Sequence, residues 1–93
     1  MEPLAWADVS GTEGAVYRVD GEAGPLELTL ETAAELPSSG RAEGSFRLEF
    51  RGPFEPILPQ GTYRFVRDGQ SVDIFVVPVG RDAKGTLYEA VFY

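Results

Sequence analysis

Fifteen carboxylates with no histidine and no cysteine narrow the chemistry open to this 93-residue chain. Ser-His-Asp and Cys-His arrangements need a base or a nucleophile that is absent, and the usual zinc ligand sets need the same missing residues. What remains is carboxylate chemistry, in which two acids held in a cleft hydrolyse a glycosidic bond. That chemistry requires burial or a charged neighbour to push the two pKa values apart. The acids instead fall at alternate positions of strand-like segments and in turns. In residues 26–32, Leu26, Leu28 and Leu30 take one face while Glu27 and Glu31 take the other, so both acids point to water and their pKa values are expected to stay ordinary. Asp82 and its neighbours lack the spacing of a calcium loop. No Gly-rich loop of the Walker or dinucleotide type occurs. The sequence therefore predicts no enzyme, no cofactor and no metal, with a carboxylate hydrolase as the remote alternative.

The acids outweigh eight Lys and Arg, for a net charge of −7 spread along the chain. Phosphate binding rests on basic side chains, so a nucleic-acid partner is not expected, nor is an anionic membrane surface. The charge reads as a solvated surface that keeps a β protein soluble. The opening Met-Glu-Pro-Leu-Ala-Trp lacks the basic and apolar regions of a signal peptide, and no apolar run approaches the ~20 residues that span a bilayer. A cytoplasmic protein is the default expectation.

The elements that would position any site are strands. The apolar stretch at 71–79, Ser-Val-Asp-Ile-Phe-Val-Val-Pro-Val, reads as a buried strand, with Ile74 and Phe75 both expected in the core. Asp68-Gly69 before it and residues 81–85 after it are turn signals. They join it to strands at 62–67 and 86–93, making it the middle of a C-terminal three-stranded antiparallel meander. Pro78 cannot donate to a ladder, so a bulge or an unpaired edge is expected there. Alternation at 15–20, 26–32 and 45–51 gives three earlier strands, with Tyr17, Leu28 and Phe50 among the inward residues. Leu87 and Val91 oppose Tyr88 and Phe92, so both faces of the last strand carry bulk and both are expected to be covered. Residues 33–44 read as a mobile loop, and residues 1–12 as an irregular arm or one helical turn that lays Trp6 over an end of the core. The whole is one domain, 1–93. It is predicted as an all-β, six-stranded antiparallel sandwich or partly open barrel.

Residues 52–61 contain Pro53, Pro56 and Pro59, which excludes helix and central strand. Phe54, Ile57 and Leu58 are too apolar for a solvated loop, so the segment is expected to cross an open end and cap the core. Gly61 is expected in a backbone conformation that other residues avoid. Arg51, Phe54, Gln60 and Tyr63 are the candidate partner contacts here. The structural alternative has Arg51 and Gln60 hydrogen-bonding loop carbonyls.

Phe-Arg-Gly-Pro at 50–53, Leu-Pro-Gln-Gly-Thr-Tyr at 58–63, Ile-Phe-Val-Val-Pro-Val-Gly at 74–80 and Tyr-Glu-Ala-Val-Phe at 88–92 together resemble a small bacterial domain family of uncharacterised function. Tyr93 stands where that family usually ends in Asn. The resemblance implies a companion of bacterial proteins similar to phage tail-collar proteins, and it supplies no catalytic residue. The resulting expectation is a non-catalytic interaction or structural module, with an accessory role in a phage-tail-like assembly as the form that the resemblance implies. Its partner would be a protein, either a second copy or a tail-collar-like protein. A small-molecule-binding β-barrel carrier with a cavity of roughly 300 Å³ or more is the alternative.

Overall fold

The computed structural model describes residues 4–21, 24–36 and 45–92. A one-turn helix, α1 (Trp6–Val9), precedes six strands: β1 (Val16–Gly21), β2 (Gly24–Glu35), β3 (Phe46–Gly52), β4 (Gly61–Arg67), β5 (Gln70–Asp82) and β6 (Gly85–Phe92). All neighbours are antiparallel and the sheet closes on itself in the order β1-β2-β3-β6-β5-β4. The fold is thus all-β, and the barrel is closed rather than partly open. β5 lies between β4 and β6, so the predicted meander is present. β1 and β4 meet through Arg18 against Val66 and Val19 against Phe65, a short seam beside the longer ladders.

Period-two alternation builds the core. Tyr17 and Val19, Leu26, Leu28 and Leu30, Phe46, Leu48 and Phe50, Phe65, Ile74 and Val76, and Tyr88 and Ala90 all point inward and are buried. Rings fill the middle: Phe50 lies 4.9 Å from Phe65 and 5.8 Å, edge-on, from Tyr17. Trp6 packs on Phe46 at 5.8 Å, so α1 does cover one end of the core. The Asp8 carboxylate fixes that turn by accepting the Ala5 N–H at 2.9 Å. Asp68 and Gly69 both have positive φ, 54° and 77°, the backbone that a two-residue hairpin between twisted strands requires.

Two bulges adjust the alternation. In β2 the register slips between Leu30 and Thr32, which leaves Glu31 as the extra residue and turns Ala33 inward opposite Leu48. In β5 it slips between Pro78 and Gly80, with Val79 extra, as expected beside a proline. Residues 33–35 are therefore strand and not loop, because the first bulge lets β2 continue along β3. Leu36 donates its N–H to the Ser45 carbonyl at 2.8 Å. Residues 37–44 of the expected mobile loop, residues 22–23 and Tyr93 lie outside the described residues.

Phe75 departs from expectation: it is 52% exposed, while Ile74 is at 1%. A barrel wall has one inner face, and the strand's alternation gives it to Ile74 and Val76. β6 likewise buries Tyr88 and Ala90 while Val91 is exposed and Leu87 half-buried, so its outer side is not fully covered by the described residues.

Residues 53–60 cap the second end through Leu58, which is buried. Prolines remove N–H groups from this segment, and the Leu58 N–H, left without a ladder partner, donates to the Tyr88 hydroxyl at 2.9 Å inside the core. Gly21 allows the approach, since a Cβ there would sit 2.7 Å from the Leu58 side chain. Gly61 has no positive φ, contrary to expectation; it enters β4 directly, opposite Val76, and a Cβ would meet only Tyr63 atoms at ordinary distance.

Ile74→Ala is expected to cost about 2–5 kcal/mol and Phe75→Ala less than about 1 kcal/mol in reversible denaturant melts. Tyr88→Phe, which keeps the ring and orphans the Leu58 N–H, should cost about 1–3 kcal/mol in the same melts.

Candidate interaction surface

The four candidate contacts do not form one site. Arg51 projects from the outer wall of β3, and Phe54 follows it onto the barrel end. Gln60 immediately precedes β4 and Tyr63 lies within it, and β4 is separated from β3 by β6 and β5. Gln60 is exposed, and Tyr63 is half-buried against the core with its hydroxyl donating to the Pro59 carbonyl at 2.6 Å. Tyr63 thus fastens the proline segment from one side as Tyr88 does from within.

Arg51 is bonded to carboxylates and not to loop carbonyls. Its Nε and Nη2 donate to the two Glu31 oxygens at 3.1 Å each, and its Nη1 donates to Asp82 Oδ1 at 2.8 Å. A planar guanidinium suits this bidentate geometry. The side chain is only 14% exposed, so it lies along the wall and is poorly placed to reach a partner. Both acids arrive through irregular backbone: Glu31 is the bulged residue of β2, and Asp82 sits past the β5 bulge at the hairpin, where its Oδ1 also accepts the Lys84 N–H at 2.8 Å. Charge then does what outward position alone would not. The Arg51 hydrogen bond holds the Glu31 carboxyl below its usual range, against the expectation for this acid. The Lys84 N–H, followed by Arg51, does the same for Asp82, and Glu31 raises the Arg51 pKa. The two acids converge on the outer wall, not in a shielded hollow, so neither is kept protonated as a general acid must be.

A second cluster on that wall pairs Arg47 with Glu49 at 2.6 Å and with Glu89 at 3.6 Å. The large apolar residues exposed among the described ones are Val16, Phe54, Ile57, Phe75, Val79 and Val91. Phe75 and Val79 belong to β5 with half-buried Val77 between them, and Val91 faces outward on neighbouring β6. Phe54 lies at the end of this row, 5.6 Å beneath the Arg81 guanidinium. Parity within residues 71–79 could have marked Phe75 as outward; the bulge that exposes Val79 has only Pro78 as its signal.

A shallow hollow of about 200 Å³ opens beside the proline segment, lined by Gly21, Gly24, Leu26, Pro56, Ile57, Leu58 and Pro59. Among the described residues that line it there is no charged or hydroxyl side chain to orient a ligand. Among the described residues no three His, Cys, Asp or Glu side chains group as metal ligands, and no helix is long and apolar enough to cross a membrane.

These features define a small closed β-barrel with a filled interior and an apolar row along one outer wall. The model of the family described as "Domain of unknown function (DUF6916)" matches residues 4–92, and the chain belongs to that family. No curated protein and no solved structure matches it.

Acid should loosen the Arg51 cluster. Depressed folded-state pKa values contribute stability above the unfolded values that is lost as pH falls through the folded ones. Arg51→Met is therefore expected to lose stability at neutral pH and to shrink the difference between melts at about pH 7 and about pH 3.

Proposed function

We propose that the protein is a non-catalytic interaction module that presents the outer side of β5 and β6 to a protein partner. The observation that carries this reading is the exposed row Phe75, Val79 and Val91 on a wall where the neighbouring charges, Asp73 and Glu89, are ion-paired. Apolar side chains ringed by polar ones are the usual make-up of a protein contact. The interior favours no carrier role: Phe46, Phe50, Phe65 and Tyr88 fill it, and the outer hollow is smaller than the roughly 300 Å³ of an ordinary ligand pocket. An accessory role in a phage-tail-like assembly, beside a tail-collar-like protein, is the particular form of this reading that the sequence resemblance implies.

The test is binding of the purified chain to the purified products of its flanking genes, measured by calorimetry. Phe75→Glu should abolish any complex while leaving the melt of the free protein unchanged. A chain that binds none of them and stays monomeric at high concentration would remove the reading.

A further inference from the structure

We infer that the outer face of β4 and β5 is the contact of a weak two-fold homodimer. This rests on the interaction reading above and names its partner as a second copy. The argument is one of charge. The chain carries −7 overall, yet this face is nearly balanced. On it Arg64 lies 3.8 Å from Asp73, both side chains more than half exposed, and on neighbouring β6 Glu89 is matched by Arg47 of β3 at 3.6 Å. The acids with no ion pair among the described residues, Asp8, Glu13, Glu27, Glu35 and Glu55, lie on α1, on β2, on the approach to β1 or on the proline segment. A basic partner would be drawn to those acids, away from Phe75. An acidic partner would be repelled by the whole molecule. A copy of this chain meets least repulsion where its own surface is neutral, and that is where Phe75 stands exposed.

The strand register makes the face self-complementary. Arg64 is directly across from Asp73, and Thr62 from Phe75. A two-fold axis lying in the contact plane, parallel to and between β4 and β5, exchanges the two strands. Each Arg64 then lies over Asp73 of the other copy, and the two Phe75 rings pack side by side over Thr62. Arg64 and Asp73 are loosely joined within one chain, so they can turn to the partner without breaking a short bond. The convex wall of a narrow barrel offers modest area, so dissociation falls in the roughly micromolar-to-millimolar range.

Sedimentation equilibrium from about 1 µM to about 1 mM reads this out. The wild type should rise from 10.1 kDa toward twice that mass. Phe75→Glu should stay monomeric with an unchanged melt. Arg64→Asp should weaken association at least about tenfold, and Arg64→Asp with Asp73→Arg should restore it. Arg64→Asp and its rescue keep the test open if the Phe75 variant misfolds. A wild type monomeric throughout, or an association indifferent to Phe75 and Arg64, overturns the inference. If the wild type is monomeric but Phe75→Glu abolishes binding to a flanking gene product, the dimer fails while the broader reading stands; if Phe75→Glu changes neither, both fail.

Discussion

Closing six strands into a ring leaves an interior that side chains alone must fill, and most of the structure follows from that constraint. Eight strands enclose just enough room for side chains or one small ligand; six enclose less. Here the space goes to Phe46, Phe50, Phe65, Tyr17 and Tyr88, with aliphatic residues between them. The same filling fixes the proline segment. Leu58 completes one end of the core, and its N–H must find an acceptor where no strand passes; the Tyr88 hydroxyl is that acceptor. Tyrosine is suited to the position because it brings a large apolar ring and a polar tip together. The end closed by Trp6 and Val9 needs no such device, since α1 satisfies its own backbone within one turn.

What the alternation of side chains determines was legible in the sequence; what depends on breaks in it was not. Leu26, Leu28 and Leu30 are inward because polar residues separate them, and Phe46, Leu48 and Phe50 likewise. At residues 74–77 both faces are apolar, so composition alone cannot say which side is covered, and Phe75 was assigned to a core that admits only Ile74 and Val76. Glu31 shows the second kind of failure. Its outward direction follows from parity, but its meeting with Arg51, 20 residues on, depends on a bulge that no proline or glycine announces. Asp82 reaches the same guanidinium from 31 residues away around a hairpin. Of the candidate contacts, the sequence located the segment that caps the core, but it could not tell that Arg51 is engaged along the wall and Tyr63 tied to Pro59 while Phe54 is left open.

The outer surface is consequently divided. On β2, β3 and β6 outward positions carry Arg47, Glu49, Arg51, Glu31 and Glu89 in joined pairs, one within β3 and the others across strands. Such exposed pairs add little stability singly, yet they leave that part of the wall wet and its charges engaged. On β5 the outward positions carry Phe75, Val77 and Val79 instead. A strand that is apolar on both faces in a barrel with one interior has surplus apolar surface, and the core does not explain it.

Backbone geometry restricts how that surplus could be covered. A closed barrel has almost no free edge, so a partner cannot extend the sheet by adding a strand to β5, whose N–H and C=O groups are already shared with β4 and β6. The short β1–β4 seam is the weakest ladder, but the exposed row does not lie along it. Where β5 runs past the bulge, Pro78 lacks a donor and Val79 stands out of register, which also discourages strand pairing. A partner of the kind proposed would therefore make its contact through side chains on the face of the sheet. That mode makes affinity depend on a few outward residues and leaves the fold untouched when they change, which is why Phe75, unnecessary to the core, is the residue on which binding and stability can be separated.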